Sequence, residues 1–368
     1  MIKKVFIRVD GNENIATGHI VRCLAIAKAL LHEGLMVSFL VSDEDSVENL
    51  TRLSGGQWKT DEIINLGSNY EKLEEELPLL KSLLVKDGYV SKNEALFFLD
   101  SYFVTPDYLK EIRMVLPVVY LDDLYSFDYE VDCIINYDFE ADKDFYSNAR
   151  KVYAGPEYTP LRDGFTKEVV SSLEKVKNNA VNDTVSGNVE CEGIKSLKRI
   201  LITSGGTNPG MVSEKIGRVL ADNCDASITI LVRDADAPGE ELSKLVSSKK
   251  NIKLHSYVSD MPTFLPTFDL VISAGGTTMY ELCALGIPAL SYSIADNQLK
   301  CVTDLDKMEI VSYLGNPITD FDNFSNRLIS EIKKLQETPQ LLEKQSIKMK
   351  NLVDGKGAAR IARALRLL

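Results

Sequence analysis

The residues best suited to chemistry are a Gly-His pair that follows the first apolar strand. The segment RVDGNENIATGHIVRCLAIAKAL leaves a strand, passes a turn rich in Gly and Asn, and continues from Gly18-His19 into a helix with apolar residues at helical spacing. The partial positive charge of a helix start disfavours an imidazolium, so the ring is expected to stay neutral and able to accept a proton. His19 is therefore predicted to be a general base, with a cap or surface role as the alternative. The other two histidines, His32 and His255, lie in less suggestive places.

A Gly-rich turn in the second half of the chain predicts contacts with a diphosphate. In DLVISAGGTTMYELCALGIPAL, an apolar strand ends at Gly275-Gly276, and Thr278 with Glu281 predicts a capping box at a helix start. Glycines allow close approach of the backbone, and Thr hydroxyls and the helix dipole favour phosphate oxygens. Glu281 either reaches a ribose hydroxyl or only closes the cap.

A second turn, SGGTNP at 204–209, also follows an apolar strand. Asn208 is predicted to cap a helix that has Pro209 as its first residue. Neither this turn nor the one at Gly275 fits GxGxxG, and no GxxxxGK[ST] motif occurs in the chain. Kinase and dinucleotide-binding functions are therefore disfavoured.

Charged residues near strand ends form a third set of candidates. Asp10 either holds a ligand or orders its loop. Asp122 and Asp123 follow an apolar strand, and because neighbouring side chains of a strand point in different directions, at most one is expected to face the site. That carboxylate either orients His19 and the ligand or belongs to a structural turn, and Arg162 either pairs with an anion or forms a hinge salt bridge.

The elements that must position these residues alternate between strand and helix in both halves of the chain. Such alternation predicts two doubly wound, mostly parallel α/β domains, which we expect to face each other across a cleft. A helix with a charged face is predicted from about 69 to 86, and its glutamates Glu71, Glu74, Glu75 and Glu76 are assigned to solvent. The polar stretch after Thr166 predicts a linker. The predicted limits are 1–165 for the N-terminal α/β domain, 166–197 for the linker, 198–345 for the C-terminal nucleotide-binding α/β domain and 346–368 for a C-terminal helical segment.

Composition excludes several classes of protein. The net charge of -12 disfavours nucleic acid and anionic membranes as partners, and no apolar run approaches the 18 to 20 residues that span a bilayer. The start of the chain contains only a strand-length apolar run, so a cytoplasmic location is expected. The six cysteines form no CxxC pair, which predicts reduced thiols, no zinc site and no disulfides, with Cys23 and Cys283 buried in helices.

Taken together, these segments resemble the UDP-sugar hydrolases of pseudaminic acid biosynthesis, a family also described as spore-coat polysaccharide proteins and built on the GT-B fold. The segments that carry the resemblance, in chain order, are ATGHIVRCLAIAKAL, LDSYFV, VVYLDD, GPEYTPLR, ILITSGGTNP, SAGGTTMYELCALGIP and the run 295–298. Ser101 stands where some relatives carry His, and the chain is longer than the compact members. The resemblance implies a GT-B-like α/β fold for most of the chain.

The resemblance also implies residue roles and a reaction. It assigns catalysis to His19, as the base that activates water, and it implies no cofactor and no metal. The implied substrate-binding residues are Asp10, Gly18, Arg22, Asp100, Tyr102, Asp122, Arg162, Asn297 and Gln298. The implied nucleotide-binding residues are Gly205, Gly206, Thr207, Val258, Gly275, Gly276, Thr277, Thr278 and Glu281, with the segment around Val258 near the uracil.

The implied reaction is hydrolysis of UDP-2,4-diacetamido-2,4,6-trideoxy-β-L-altropyranose to UDP and the free sugar. Water attacks the anomeric carbon from the face opposite to UDP, which inverts its configuration. Two alternatives stay open at this point. A glycosyltransferase on the same fold would use an acceptor hydroxyl in place of water, and a noncatalytic protein would only bind the nucleotide sugar.

Overall fold

The structure is a computed structural model of the chain, and it describes residues 2–15, 17–86, 94–166, 197–205, 208–232, 235, 238–256, 258 and 260–368. Two compact units are present. The N-terminal unit comprises Met1–Asp163 together with Gly355–Leu368, and the C-terminal unit comprises Gly164–Asp354. Nearly all of the predicted linker lies outside the described residues, so the predicted domain limits remain predictions.

The described strands fall into two parallel sheets. In the N-terminal unit they are β1 (Lys4–Val9), β2 (Met36–Val41), β3 (Ile63–Asn65), β4 (Ala95–Asp100), β5 (Val118–Leu121), β6 (Cys133–Asn136) and β7 (Val152–Ala154). In the C-terminal unit they are β8 (Arg199–Thr203), β9 (Ser227–Val232), β10 (Ile252–Ser256), β11 (Leu270–Ala274), β12 (Ala289–Tyr292) and β13 (Ser312–Tyr313).

The described α-helices connect and flank these strands. They are α1 (Gly18–His32), α2 (Glu44–Leu53), α3 (Leu77–Lys86), α4 (Pro106–Arg113), α5 (Val212–Asn223), α6 (Glu240–Ser248), α7 (Met261–Phe264), α8 (Thr277–Leu285), α9 (Leu299–Lys307), α10 (Phe321–Glu337), α11 (Gln340–Lys350) and α12 (Gly357–Arg366). Short 3-10 turns occur at Thr60–Glu62, Leu73–Glu76, Pro156–Tyr158, Pro209–Met211, Leu265–Thr267 and Asp296–Gln298.

Strand order identifies where each sheet can hold a ligand. The first sheet runs β3-β2-β1-β4-β5-β6-β7 and the second runs β10-β9-β8-β11-β12-β13. In each sheet, successive strands are added on one side of a central strand and then on the other side. The order changes sides between β1 and β4 in the first sheet and between β8 and β11 in the second. Ligands of such sheets bind outside the carboxyl ends of the strands at this switch point. The loops that follow these four strands are therefore the ones that position a site.

The longer predicted elements agree with the structure. The apolar runs KVFIRV, MVSFLV, ALFFLD and SITILV predict strands, and they match the bounds of β1, β2, β4 and β9, because central parallel strands are buried on both faces and read as continuous apolar runs. The predicted helix over 69–86 begins later, as a 3-10 turn at Leu73–Glu76 followed by α3. The three strands that the sequence did not predict, β3, β7 and β13, have three residues or fewer.

The last helix belongs to the N-terminal unit. α12 packs against α1, and Arg363 and Arg366 each form a 3.2 Å ion pair with Glu33 just beyond the end of α1. At the start of α12, a Cβ on Gly357 would lie 2.1 Å from the carbonyl oxygen of Thr159. The close approach of these two backbones requires glycine at this position.

Candidate functional site

The His19 side chain lies at the switch point of the first sheet. His19 is the second residue of α1, and its side chain is buried. Its Nδ1 is 2.6 Å from Oδ1 of Asp100, the last residue of β4. The ring of Tyr102 meets the imidazole edge-on, with 4.5 Å between the ring centroids. The end of β4 and the start of α1 thus bring together three residues that the sequence analysis placed in the site.

The charge on Asp100 determines which imidazole nitrogen carries the proton. Burial alone would raise the pKa of Asp100, but attraction to Arg22 and His19 and their hydrogen bonds outweigh it and hold that pKa well below its ordinary range. An ionised carboxylate accepts hydrogen bonds only, so the 2.6 Å contact requires a proton on Nδ1 of His19, and Nη2 of Arg22, 3.1 Å from the same nitrogen, then makes no hydrogen bond to it. Nε2 then carries the lone pair. This is the arrangement of a general base held in one tautomer by a carboxylate.

Arg22 binds two acidic residues, Asp100, which contacts His19, and Asp123. Its Nε and Nη2 each donate to Asp100 at 2.6 Å, and its Nη1 donates to Asp123 at 2.8 Å and to the Tyr137 hydroxyl at 2.5 Å. Burial opposes the charge on Arg22, but attraction to Asp100, Tyr137 and Asp123 raises its pKa well above the ordinary value. These contacts occupy every nitrogen of the guanidinium, so the Arg22 side chain binds other residues of the protein. The predicted contact of Arg22 with substrate remains a prediction.

A second buried charge cluster holds Asp10. Oδ1 of Asp10 accepts from the backbone N–H of Ser42 at 2.6 Å, and Oδ2 accepts from Nη1 of Arg8 at 2.5 Å. Arg8 lies in β1 with no exposed surface, and its Nε and Nη2 donate to Glu76 at 2.9 Å. Glu76 also accepts from the Tyr108 hydroxyl at 2.7 Å. The assignment of Glu76 to solvent was wrong, because the Arg8 charge inside the sheet requires a buried counterion.

Replacing Glu76 by glutamine is expected to lower the free energy of unfolding by about 3 kcal/mol, because Arg8 would lose one of its two buried counterions. Glu71→Gln is the matched control, since Glu71 belongs to the same acidic run and is exposed. The control should change stability by less than about 0.5 kcal/mol. Urea denaturation measures both variants. Equal stability of the two would show that Asp10 alone neutralises Arg8.

The adjacent residues Asp122 and Asp123 have different surroundings. Asp122 has no exposed surface, and its carboxylate accepts from the hydroxyls of Tyr129 at 2.9 Å and Tyr146 at 2.7 Å and from the backbone N–H of Leu124 at 3.1 Å. Burial raises its pKa, and these hydrogen bonds oppose that rise. Asp123 is the one that joins the His19 cluster, through Arg22. The geometry therefore favours Asp123, which the sequence analysis did not select, over Asp122.

A small pocket opens beside the imidazole, with an empty volume of about 210 Å³. Its walls combine acidic groups with aromatic and aliphatic side chains. They are formed by Asp10, Ile15, His19, Asp100, Ser101, Tyr102 and Phe103. Gly18 is exposed at the start of α1, and a Cβ there would meet no atom within 4 Å. The pocket can therefore admit a polar group of limited size next to the predicted base.

The turn after β8 is described only in part. Gly206 and Thr207 lie outside the described residues, while Gly205 is exposed and has a positive φ of 77°. Pro209 is the first residue of a 3-10 helix with Asn208 at its N-cap position, as predicted, and α5 follows from Val212. Oδ1 of Asn208 accepts from the backbone N–H of Ser213 at 3.0 Å, near the start of α5.

The turn after β11 leads directly into α8. The predicted capping box is absent from it, because Gly276 occupies the cap position and no side chain caps the helix. Thr277 and Thr278 are the first two helical residues, and Glu281 lies one turn further on and is buried. The first N–H groups of a helix and its dipole favour an anion. The loop can therefore bind a phosphate without the cap that the sequence suggested.

The two glycines of this turn are required for different reasons. A Cβ on Gly275 would lie 2.3 Å from Cγ1 of Val302 and 2.9 Å from the carbonyl oxygen of Gln298, so Gly275 is needed for packing against α9 and the turn before it. A Cβ on Gly276 would meet nothing within 4 Å. Only Gly276 leaves the open space that a diphosphate needs for close approach.

Gly276→Ala is expected to leave folding unchanged within about 0.5 kcal/mol and to weaken UDP binding about tenfold or more, because the added methyl group enters the open space. Gly275→Ala is expected to lower the free energy of unfolding by about 1–3 kcal/mol through overpacking. Calorimetric titration with UDP and thermal denaturation separate the two effects. Unchanged UDP affinity in Gly276→Ala would count against a phosphate at this loop.

The remaining predicted site residues lie in the C-terminal unit or near its boundary. Oε1 of Gln298 accepts from the backbone N–H of Ile294 at 2.9 Å, so this side chain shapes its own turn. Asn297 is exposed, whereas Val258 and Arg162 are half-buried. Their predicted contacts with substrate or nucleotide remain predictions.

The structure also bears on the sequence predictions about metal sites, membrane spans and cysteines. Among the described residues, no group of three or more His, Cys, Asp or Glu side chains is arranged to hold a metal ion. None of the helices in the described part of the chain is both long and apolar enough to cross a bilayer. The prediction that Cys23 and Cys283 are buried is confirmed. Cys133, Cys224 and Cys301 are also buried.

Known proteins resemble the chain over much of its length. It is 23% identical to an uncharacterised protein of Methanocaldococcus jannaschii over 86% of this chain and 61% of that protein. It is 24% identical to the spore coat polysaccharide biosynthesis protein SpsG of Bacillus subtilis over 59% of this chain and 58% of SpsG. A shorter match, 31% identical, covers 27% of this chain and 30% of the UDP-N-acetylglucosamine--N-acetylmuramyl-(pentapeptide) pyrophosphoryl-undecaprenol N-acetylglucosamine transferase of Exiguobacterium. No protein-family model matches the chain.

The match with each of these relatives spans less than two thirds of the relative's length. Among solved structures, the crystal structure of Acinetobacter baumannii MurG aligns over the whole of both chains with a TM-score of 0.68 and 15% identity. Together with the two parallel α/β sheets, this similarity shows that the chain has the GT-B fold.

Proposed function

We propose that this chain is a nucleotide-sugar enzyme that transfers the sugar of a UDP-sugar to an acceptor hydroxyl, with His19 as the general base. The observation that carries the proposal is the 2.6 Å contact between Nδ1 of His19 and the buried Asp100 carboxylate. This contact leaves Nε2 to accept a proton. The names of the relatives support the substrate class, since one of them is a UDP-N-acetylglucosamine-dependent transferase.

The two units have different roles in this proposal. The turn after β11, with the open Gly276 and the start of α8, binds the diphosphate of UDP. The pocket beside His19 suits the sugar instead, because its walls include the carboxylates of Asp10 and Asp100 and would repel phosphate. The sugar carries no charge and offers hydrogen-bond donors to acidic groups.

The proposed step balances as a displacement at the anomeric carbon. The acceptor oxygen forms a bond to that carbon while the bond to the UDP oxygen breaks, and UDP leaves with the electron pair. The acceptor proton passes to Nε2 of His19. Asp100 stabilises the imidazolium that results, and the loop at Gly276 stabilises the charge that develops on the diphosphate. Attack opposite to UDP inverts the anomeric configuration.

Hydrolysis is the second candidate, and the similarity to the spore coat polysaccharide biosynthesis protein SpsG favours it, because the family of the resemblance stated above is described by the same name. In this version water takes the place of the acceptor hydroxyl. The sugar then follows the resemblance stated above, as UDP-2,4-diacetamido-2,4,6-trideoxy-β-L-altropyranose in pseudaminic acid biosynthesis.

The test is release of UDP from a panel of UDP-linked sugars, measured with and without hydroxylated acceptors. Transfer predicts that UDP release requires an acceptor and that the sugar appears on it. Hydrolysis predicts the same rate without acceptor, one free sugar per UDP, and ¹⁸O from labelled water on the anomeric carbon. Failure to bind UDP and to release it from any donor would overturn both candidates.

A further inference from the structure

Asp123 lies beside the predicted base but plays a different part from Asp100. Its Oδ2 accepts from Nη1 of Arg22 at 2.8 Å and from the hydroxyl of Tyr102 at 3.2 Å. Tyr102 lines the pocket and contacts the His19 ring edge-on. Nη2 of Arg22 also lies 3.1 Å from Nδ1 of His19, so Asp123 is fixed by two residues that both touch His19.

The other oxygen of this carboxylate lacks a donor. Oδ1 of Asp123 is buried, and no hydrogen-bond partner for it occurs in the described part of the chain. A buried acceptor without a donor costs free energy, and the cost disappears when a bound ligand supplies the donor. Oδ1 itself is covered, but the side chain as a whole keeps 16% of its surface exposed and accepts a hydrogen bond from Tyr102 in the pocket wall, so a ligand group that displaces this cover can reach Oδ1.

The charge balance of the cluster indicates the kind of ligand. Arg22 already forms a two-point contact with Asp100, so one guanidinium faces two carboxylates, and Asp123 is the surplus negative group. The cluster around Arg8 repeats this balance, with Asp10 and Glu76 on a single guanidinium. Such surroundings repel a phosphate and favour uncharged groups that donate hydrogen bonds.

We propose that Asp123 is a specificity-determining residue that recognises one hydrogen-bond donor on the sugar, a hydroxyl or the N–H of an acylamino group. This inference rests on the proposed function, because it takes the ligand of the pocket to be the sugar of a UDP-sugar. Asp123 selects the substrate, while His19 takes the proton.

Asp123→Asn tests the proposal because it replaces a hydrogen-bond acceptor by a hydrogen-bond donor at one position. Arg22 and Tyr102 both donate to the Oδ2 position, so the amide oxygen must stay there and the NH₂ group must take the place of Oδ1. A donor then faces the donor of the sugar. The experiment compares kcat/KM for the preferred UDP-sugar with kcat/KM for analogues in which one donor group at a time is replaced by hydrogen.

The wild-type protein is expected to prefer the full sugar over one of these analogues by about 10- to 100-fold, the value of a hydrogen bond to a charged group. In Asp123→Asn that ratio should fall to about 1, while the ratios at the other positions and the Kd for UDP stay unchanged. Asp144→Asn, an exposed control on the same unit, should keep every wild-type ratio. Retention of all wild-type ratios by Asp123→Asn would overturn the proposal.

Tyr102→Phe is the second variant, and it decides the matter if Asp123→Asn does not fold. It removes one of the two donors that fix Asp123, so the same ratio should fall severalfold and no other ratio should change. An unchanged ratio would overturn the proposal. If the wild-type protein turns over no donor, the proposed function fails. The same ratios measured as Kd values by calorimetric titration then still decide the role of Asp123.

Discussion

Replacing His19 by glutamine is expected to reduce kcat by about 10²- to 10⁴-fold and to leave the Kd for UDP within about twofold of the wild-type value. Glutamine is similar in size and can still donate a hydrogen bond to Asp100, but it cannot accept the proton that leaves the attacking hydroxyl. UDP is held in the C-terminal unit under our proposal, so its affinity should not depend on this residue. Steady-state kinetics and calorimetric titration measure the two quantities.

His32→Gln is the matched control for this substitution. His32 ends the same helix and is exposed, so the control repeats the chemical change 13 residues further along α1 at a position outside the pocket. Its kcat should equal that of the wild-type protein. If His19→Gln retained more than about a tenth of wild-type kcat, the general base would have to be sought elsewhere, and the assignment of the reaction to this pocket would fail with it.

The position of His19 was predictable because everything that places it is local in sequence. β1, the turn and α1 follow one another within about 30 residues, and the change from a continuous apolar run to helical spacing is visible in the sequence. The strand order puts β4 beside β1, and this brings Asp100 to the same edge of the sheet. Strand order itself is not written in any local pattern, so the 2.6 Å contact was beyond prediction.

The buried charge network was missed for the opposite reason. Arg8 and Glu76 are 68 residues apart, and Glu76 belongs to an acidic run that has the composition of a solvated face. One signal was available, since Arg8 interrupts an apolar strand that must be buried on both faces. A charge at such a position requires a counterion, but nothing local indicates which of several glutamates supplies it.

The choices between adjacent residues also depended on tertiary contacts. Asp122 and Asp123 are equivalent in sequence, but four groups donate hydrogen bonds to the carboxylate of Asp122. They are the hydroxyls of Tyr129 and Tyr146 and the backbone N–H groups of Leu124 and Tyr125. Gly275 and Gly276 are likewise equivalent in sequence, and only the packing of Val302 distinguishes them. Sequence patterns identified the right turns in both cases, while side chains from distant elements decided which residue faces the open space.

Asp100→Asn is expected to affect stability and activity together, because Asp100 is the link between the structural charge of Arg22 and the base. Removing the carboxylate leaves Nε and Nη2 of Arg22 without an anionic partner, so the free energy of unfolding should fall by about 3–5 kcal/mol. His19 loses the group that fixes its tautomer and stabilises the imidazolium. A fall in kcat of about 10²- to 10⁴-fold should follow.

The pH dependence of stability distinguishes this role from simple packing. The pKa of Asp100 is held below its ordinary value of about 3.9, so its contribution is complete above that pH and is lost as the pH falls below it. The stability difference between the wild-type protein and Asp100→Asn should therefore be constant from about pH 5 to 7 and shrink below about pH 4. Asp122, whose pKa is raised, shifts stability in the opposite direction but is present in both proteins and cancels in the difference.

Urea denaturation at a series of pH values measures this difference, with the exposed Asp144→Asn as the control that should show none. A difference that stayed constant down to pH 3 would mean that Asp100 acts through packing alone. That result would remove the physical basis for an ionised partner of His19. The proposed chemistry depends on that partner, because a neutral group at position 100 lacks the charge that stabilises the imidazolium formed when the sugar is transferred.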